Sequence, residues 1–276
     1  DVEDDISRCI SSYTTLIQQT NSVSPLQSEH PIRELRADRE EYERQIKKTD
    51  NQTIIETDTQ ALNKQKMLSD IELKKILDFV KAPHDTHNDH EIFNHITKQG
   101  LLIYLLLTSV RPHAPVSKFI SFYTEDNLLL VKEKSLHRYI YLTPSLTTLI
   151  TSYMQYKAAF CIKHGLSFQH TVIFEYLTKQ HIHGFTASDV KALLKSLELC
   201  GQPSNITRHH FNHQLMRHQL TANLRNVFMG HGDNQQRRQL PTREIEDALQ
   251  YMVEQYRVGP TIDALIKEIK FQLTLL

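Results

Sequence analysis

The chain has 276 residues and 39% hydrophobic side chains, enough for one large domain or one domain with an appendage. Its 32 basic and 32 acidic residues cancel, which argues against a strongly basic, non-specific nucleic-acid binder but leaves room for a local basic cleft. Cys9, Cys161 and Cys200 are far apart and odd in number, so neither a disulfide framework nor a thiolate zinc site is indicated, and a reducing, cytoplasmic setting fits.

The N-terminus, 1-DVEDD-5, has no signal-peptide pattern, and without a starting Met the chain reads as a fragment of something longer. Residues 4–20 place Ile6, Ile10, Tyr13 and Ile17 on one helical face. A loop with Pro25 and Pro31 leads to a second helix over 32–48. That helix carries a thin apolar stripe and a charged face with Glu40/Arg44 and Glu43/Lys47 at i,i+4. Residues 1–65 thus read as a helical arm or partial domain ending in a linker, and 66–276 as the main domain.

The main domain opens on a capping box, 69-SDIE-72, flanked by Leu68 and Leu73 as a hydrophobic staple. The stretch 84-HDTHNDHEIFNH-95 is rich in histidine and acid, but its irregular spacing reads as a solvated loop entering a helix rather than a metal site. That helix carries 101-LLIYLLL-107, too short to cross a bilayer, and is expected to stop at 108-TSVRP-112 because Pro112 cannot continue it. Residues 119–142 change period: 128-LLLV-131 and 139-YIYL-142 read as strands joined by a basic turn, 132-KEKSLHR-138. Helical patterns then resume over 146–160, 187–199, 205–231, 243–256 and 261–273. The predicted class is α+β, mainly helical with a small antiparallel sheet.

Cationic residues stand at element ends. Arg111 follows the long apolar helix, Lys132 and Lys134 lie in the hairpin turn, and Arg208 and His231 bracket 205-NITRHHFNHQLMRHQLTANLRNVFMGH-231. Rigidly placed arginines suit bidentate phosphate binding. Phosphoryl transfer further requires fixed donors on the non-bridging oxygens and an acid for the leaving oxygen.

Over residues 66–256 the chain resembles the tyrosine recombinase, or phage integrase, family. The 108-TSVR-111 segment corresponds to T-G-L-R, and the hairpin supplies Lys132 or Lys134. The 205-NITRHHF-211 segment corresponds to H-x-x-R-H-x-F, Leu215 falls on the usual leucine, and 228-FMGH-231 corresponds to L-G-H. The resemblance implies a metal-free and cofactor-free enzyme that cuts and rejoins double-stranded DNA through a tyrosine–phosphate link. Arg111 and Arg208 would hold the phosphate, Lys132 or Lys134 would protonate the leaving oxygen, and His231 would support the phosphate, with Asn205 and His209 as further supports. It also implies bacterial cytoplasm or nucleoid as the location, and assembly on DNA as a homo-oligomer through the C-terminal segment 264-ALIKEIKFQLTLL-276.

Three departures qualify that expectation. Asn205 stands where the family has a histidine and cannot shuttle a proton. The acid that usually follows the first arginine is missing from 111-RPHAP-115. The region where the nucleophilic tyrosine belongs, 232-GDNQQRRQLPT-242, holds none. Tyr256 falls on the apolar face of its helix and Tyr251 on the polar face, so Tyr251 is the candidate nucleophile. The departures support a second reading, a recombinase-fold DNA-binding protein without catalysis.

Overall fold

The computed structural model describes residues 67–276 apart from 113–114, 134–135, 180, 200 and 231–242. The expected N-terminal helices, Lys134 and His231 therefore lie outside the described residues. Lys66–Leu276 forms one compact unit.

Helix α1 (Asp70–Lys81) begins at the predicted capping box: Ser69 Oγ accepts from the Glu72 amide while the Glu72 carboxylate accepts from the Ser69 amide at 2.8 Å. Leu68 is buried and Leu73 packs against the core beside it. Helix α2 (Asp89–Leu107) is capped by Asn88 and is buried continuously from Gln99 to Leu107. A helix apolar all round must sit inside the fold, and α2 packs against α1 and five of the elements introduced below. Polar side chains fix its neighbours to it. The Gln99 amide donates to the carbonyls of Phe79, Val80 and Ala82 at the end of α1. The helix ends at Leu107, five residues before Pro112, because Thr108 already has extended backbone angles (φ −132°, ψ 156°). Arg111 thus lies beyond the helix in the non-helical segment 108–112 rather than at the helix end.

A three-stranded antiparallel sheet follows in the order β1 (Ser121–Tyr123), β2 (Leu128–Glu133), β3 (Leu136–Tyr141). The ladder runs on through Lys132↔His137 and Glu133↔Leu136, so most of the expected basic turn is strand. Helix α3 (Pro144–His164) is capped by Thr143, has Pro144 at its first position and ends at Gly165 in the left-handed region (φ 63°). A second hairpin, β4 (Glu175–Thr178) and β5 (His181–Gly184), was not expected from the sequence. Asn94 of α2 holds it by pairing with both the amide and the carbonyl of Leu177.

Helices α4 (Ala187–Ser196), α5 (Ile206–Arg217), α6 (Ala222–Phe228), α7 (Arg243–Gln255) and α8 (Gly259–Leu275) complete the described residues. Helix α2 meets β4, α3, α5, α7 and α8 as well as α1. Helix α8 buries Ile262, Leu265, Ile266 and Ile269 and packs on α3 of its own chain. The C-terminal segment expected as an exchange arm is thus docked on its own domain. The architecture is mainly helical with small antiparallel sheets, the α+β class the sequence predicts. No helix among the described residues is long and apolar enough to cross a membrane.

Candidate functional site

The site starts from the alternation of β2. Leu129, Val131 and Glu133 are buried on one face, and Lys132 is exposed on the other. Across the antiparallel ladder Val131 pairs with Arg138, so Arg138 also faces inward, diagonal to Glu133. One carboxylate and one guanidinium therefore enter the core side by side. Arg138 Nε donates to Glu133 Oε2 at 3.2 Å and Nη2 to Oε1 at 2.9 Å. Its remaining donors reach Ser109 Oγ (2.9 Å), the Ser109 carbonyl (3.0 Å) and the Phe228 carbonyl (2.8 Å). Ser109 Oγ in turn donates to the Phe228 carbonyl at 2.8 Å. Arg138 thus ties together β3, the segment after α2 and the end of α6.

The two arginines singled out in the sequence meet on this frame. The Arg111 amide donates to Glu133 Oε1 at 2.9 Å, and Arg111 Nε lies 3.8 Å from Oε2. Arg208, on the first turn of α5, has Nη1 at 3.9 Å from the same Oε2. Its guanidinium also donates to the carbonyls of Ser109 and Met229. Arg208 is buried, whereas the Arg111 side chain is 25% exposed and forms the open edge of the group. The carboxylate that faces Arg111 thus comes from strand β2, as Glu133.

Among the described residues three guanidinium groups lie around one carboxylate, a surplus of positive charge. Burial, with repulsion from Arg138 and Arg111 and partial offset by Glu133, pulls Arg208 down to about 9, so it remains charged near neutral pH. Burial pushes the Glu133 carboxyl up, but the charge and hydrogen bonds of Arg138, the Arg111 amide and Arg208 outweigh it and hold the group below the usual range. The site therefore presents fixed positive charge with one partly exposed guanidinium, an arrangement suited to an oxyanion.

Of the other predicted site residues, Lys134 and His231 lie outside the described residues, and Lys132, Asn205 and Tyr251 have other surroundings. Lys132 is exposed on the sheet face opposite Glu133, next to His137. Asn205 caps α5 without a side-chain bond to its backbone, and its Nδ2 lies 3.0 Å from His209 Nε2. Tyr251 is 47% exposed and its ring packs on His218, 5.1 Å between centroids. His218 follows the last turn of α5 and Arg208 lies on its first, a separation of about 15 Å along the axis. Tyr256 is buried against His210, as its helical phase predicts. Glu133 and Arg138 are the residues sequence reasoning missed. Period-2 alternation from Leu129 would have pointed to Glu133, had the strand been carried past Val131.

Three of the four histidines of 84–95 take other partners: His84 pairs with Glu268, His90 with His164, and His95 with the Ala82 carbonyl. The sequence matches no known family description and no curated protein.

Proposed function

We propose that the 66–276 domain has a tyrosine-recombinase-like fold and binds a backbone phosphate of double-stranded DNA at Arg111 and Arg208 without cutting the strand. One observation carries the reading: two arginines 97 positions apart in sequence lie within 4 Å of a single carboxylate oxygen, Glu133 Oε2. Such convergence is what a shared phosphate oxygen requires. Three placements favour binding over cleavage. The inward position of the hairpin is a carboxylate, Lys132 faces away from it, and Tyr251 sits by the far end of α5. A leaving-group acid and a nucleophile are therefore not gathered among the described residues.

The test is duplex binding by fluorescence anisotropy over a salt series. Arg111→Ala is expected to weaken binding uniformly across sequences and to reduce the salt slope by about one. Binding that is unchanged by Arg111→Ala would refute the reading. The exposed side chain of Tyr251 supports the alternative of strand cutting. A denaturant-resistant adduct with a nicked duplex that disappears in Tyr251→Phe would establish that alternative.

A further inference from the structure

We propose that Glu133 is the built-in occupant of the anion slot, so that an oxyanion reaching Arg111 and Arg208 must displace this carboxylate or meet it protonated. The inference rests on reading Arg111 and Arg208 as an anion site, and it names the residue that sets the site's affinity. Glu133 Oε2 lies 3.2 Å from Arg138 Nε, 3.8 Å from Arg111 Nε and 3.9 Å from Arg208 Nη1. That is the position an oxygen of a bound phosphate would take between the two candidate ligands. Arg138 has spent all its donors on Glu133, Ser109 and Phe228, so it secures the carboxylate rather than the incoming anion.

A dianion entering beside an ionised carboxylate meets direct repulsion. The same anion meets none once Glu133 carries a proton from solvent, and the protonated carboxyl then offers it a donor. The groups facing Glu133 are Arg111 from the segment after α2, Arg138 from β3 and Arg208 from α5, and the neutral Tyr104 of α2 lies within reach of its charge. Three of these favour the ionised form, so the slot stays self-occupied near neutral pH and opens as pH falls. By linkage, anion binding takes up a proton and strengthens toward lower pH.

The probe is sulfate, which remains a dianion throughout the range, followed through the rise in Tm of the whole chain against sodium chloride at equal ionic strength. Comparison among variants removes the general stabilising effect of sulfate. Glu133→Gln is expected to bind sulfate at least about tenfold more tightly than the unmodified chain at about pH 7.5, and by a smaller margin at about pH 5, where Glu133, held below the usual carboxylate range, begins to take up a proton only as the anion enters. The unmodified chain is expected to gain affinity between those two pH values, and Arg111→Ala to lose the response at both. If Glu133→Gln fails to fold, calorimetry on the unmodified chain in two buffers of different ionisation enthalpy reads the proton uptake directly. Equal sulfate affinity in the two chains, or binding without proton uptake, would overturn the inference. Should sulfate behave as expected while duplex binding ignores Arg111→Ala, the DNA reading fails and the slot stands. Should duplex binding need Arg111 while the Glu133 variant changes nothing, the reverse holds.

Discussion

Arg138 and Glu133 enter the core from facing strands, diagonal to one another, and Arg138 Nη2 donates to Glu133 Oε1 at 2.9 Å. Charged residues on the buried face of a sheet are costly unless fully paired. Here each guanidinium donor has an acceptor, and the pair joins four separate segments of chain. Its stability and its function are therefore linked through one frame.

Replacing Arg138 by Met leaves the buried Glu133 without its main partner and removes the donors to Ser109 and Phe228. The expected loss is about 3–5 kcal/mol in urea unfolding. Arg138→Lys keeps the charge but not the planar fork, and is expected to restore only part of that loss. A change under about 1 kcal/mol for Arg138→Met would show that the frame contributes little.

Gly230 offers a finer probe of the same frame. It has φ +68°, and a Cβ there would come within 2.8 Å of Arg138 Cδ. Gly165 has a similar angle, φ +63°, with nothing within 4 Å. Gly165→Ala therefore measures the conformational cost alone, about 1 kcal/mol. Gly230→Ala is expected to cost more by about 1–2 kcal/mol, since the Arg138 stem must shift. Equal losses for the two variants, by thermal unfolding, would mean that Arg138 accommodates the methyl freely.

Local chemistry explains what the sequence revealed. The Ser69–Glu72 box, the Thr143–Pro144 start and the core phase of Tyr256 depend on near neighbours, and each appears where spacing places it. Arg111 and Arg208 stand out in the sequence as cations at element ends, but their meeting depends on tertiary contacts that no local spacing encodes. Glu133 and Arg138 were hidden for another reason. In 132-KEKSLHR-138 six of seven residues are polar or charged in a way that suggests a turn, yet the ladder extends through Glu133↔Leu136. The β4–β5 hairpin escaped because 181-HIHG-184 has little β-type character, and its hold on Leu177 comes from Asn94, more than eighty residues earlier.

Lys157 and Glu175 form a second buried ion pair, away from the arginine group. Lys157 Nζ is fully buried, lies 2.8 Å from Glu175 Oε2, and donates also to the Gln169 and Val172 carbonyls. Burial, opposed by Glu175, pulls its pKa down. Removing one partner strands the other, so Lys157→Met is expected to cost about 3–5 kcal/mol. Lys157→Met with Glu175→Gln should be less destabilised than the single variants imply, with a coupling of about 2 kcal/mol in a double-mutant cycle. Simple additivity would show that the pair acts as two independent groups.

His210 sets an acid-side limit on stability. It is 3% exposed; burial, then the charges of His213 and Arg217, pull it down to about 4, against weaker opposition from Leu68 and Asp70. Its unfolded value is about 6.5, so between the two the unfolded chain binds the extra proton. Stability from this group is therefore complete above about pH 6.5 and falls as pH drops toward about 4, by at most about 1.4 kcal/mol per pH unit. His213 and His164 are shifted the same way and add to the slope. Glu133 and Glu72, held below their usual range, lose their contribution at lower pH still. Urea unfolding from about pH 7.5 to pH 5 isolates the histidine window from the carboxylates. His210→Phe is expected to flatten the profile there without abolishing it, because His213 remains. An unchanged slope in that variant would assign the acid sensitivity to the other histidines, and would place His210 in the fold as a packing group whose proton does not matter.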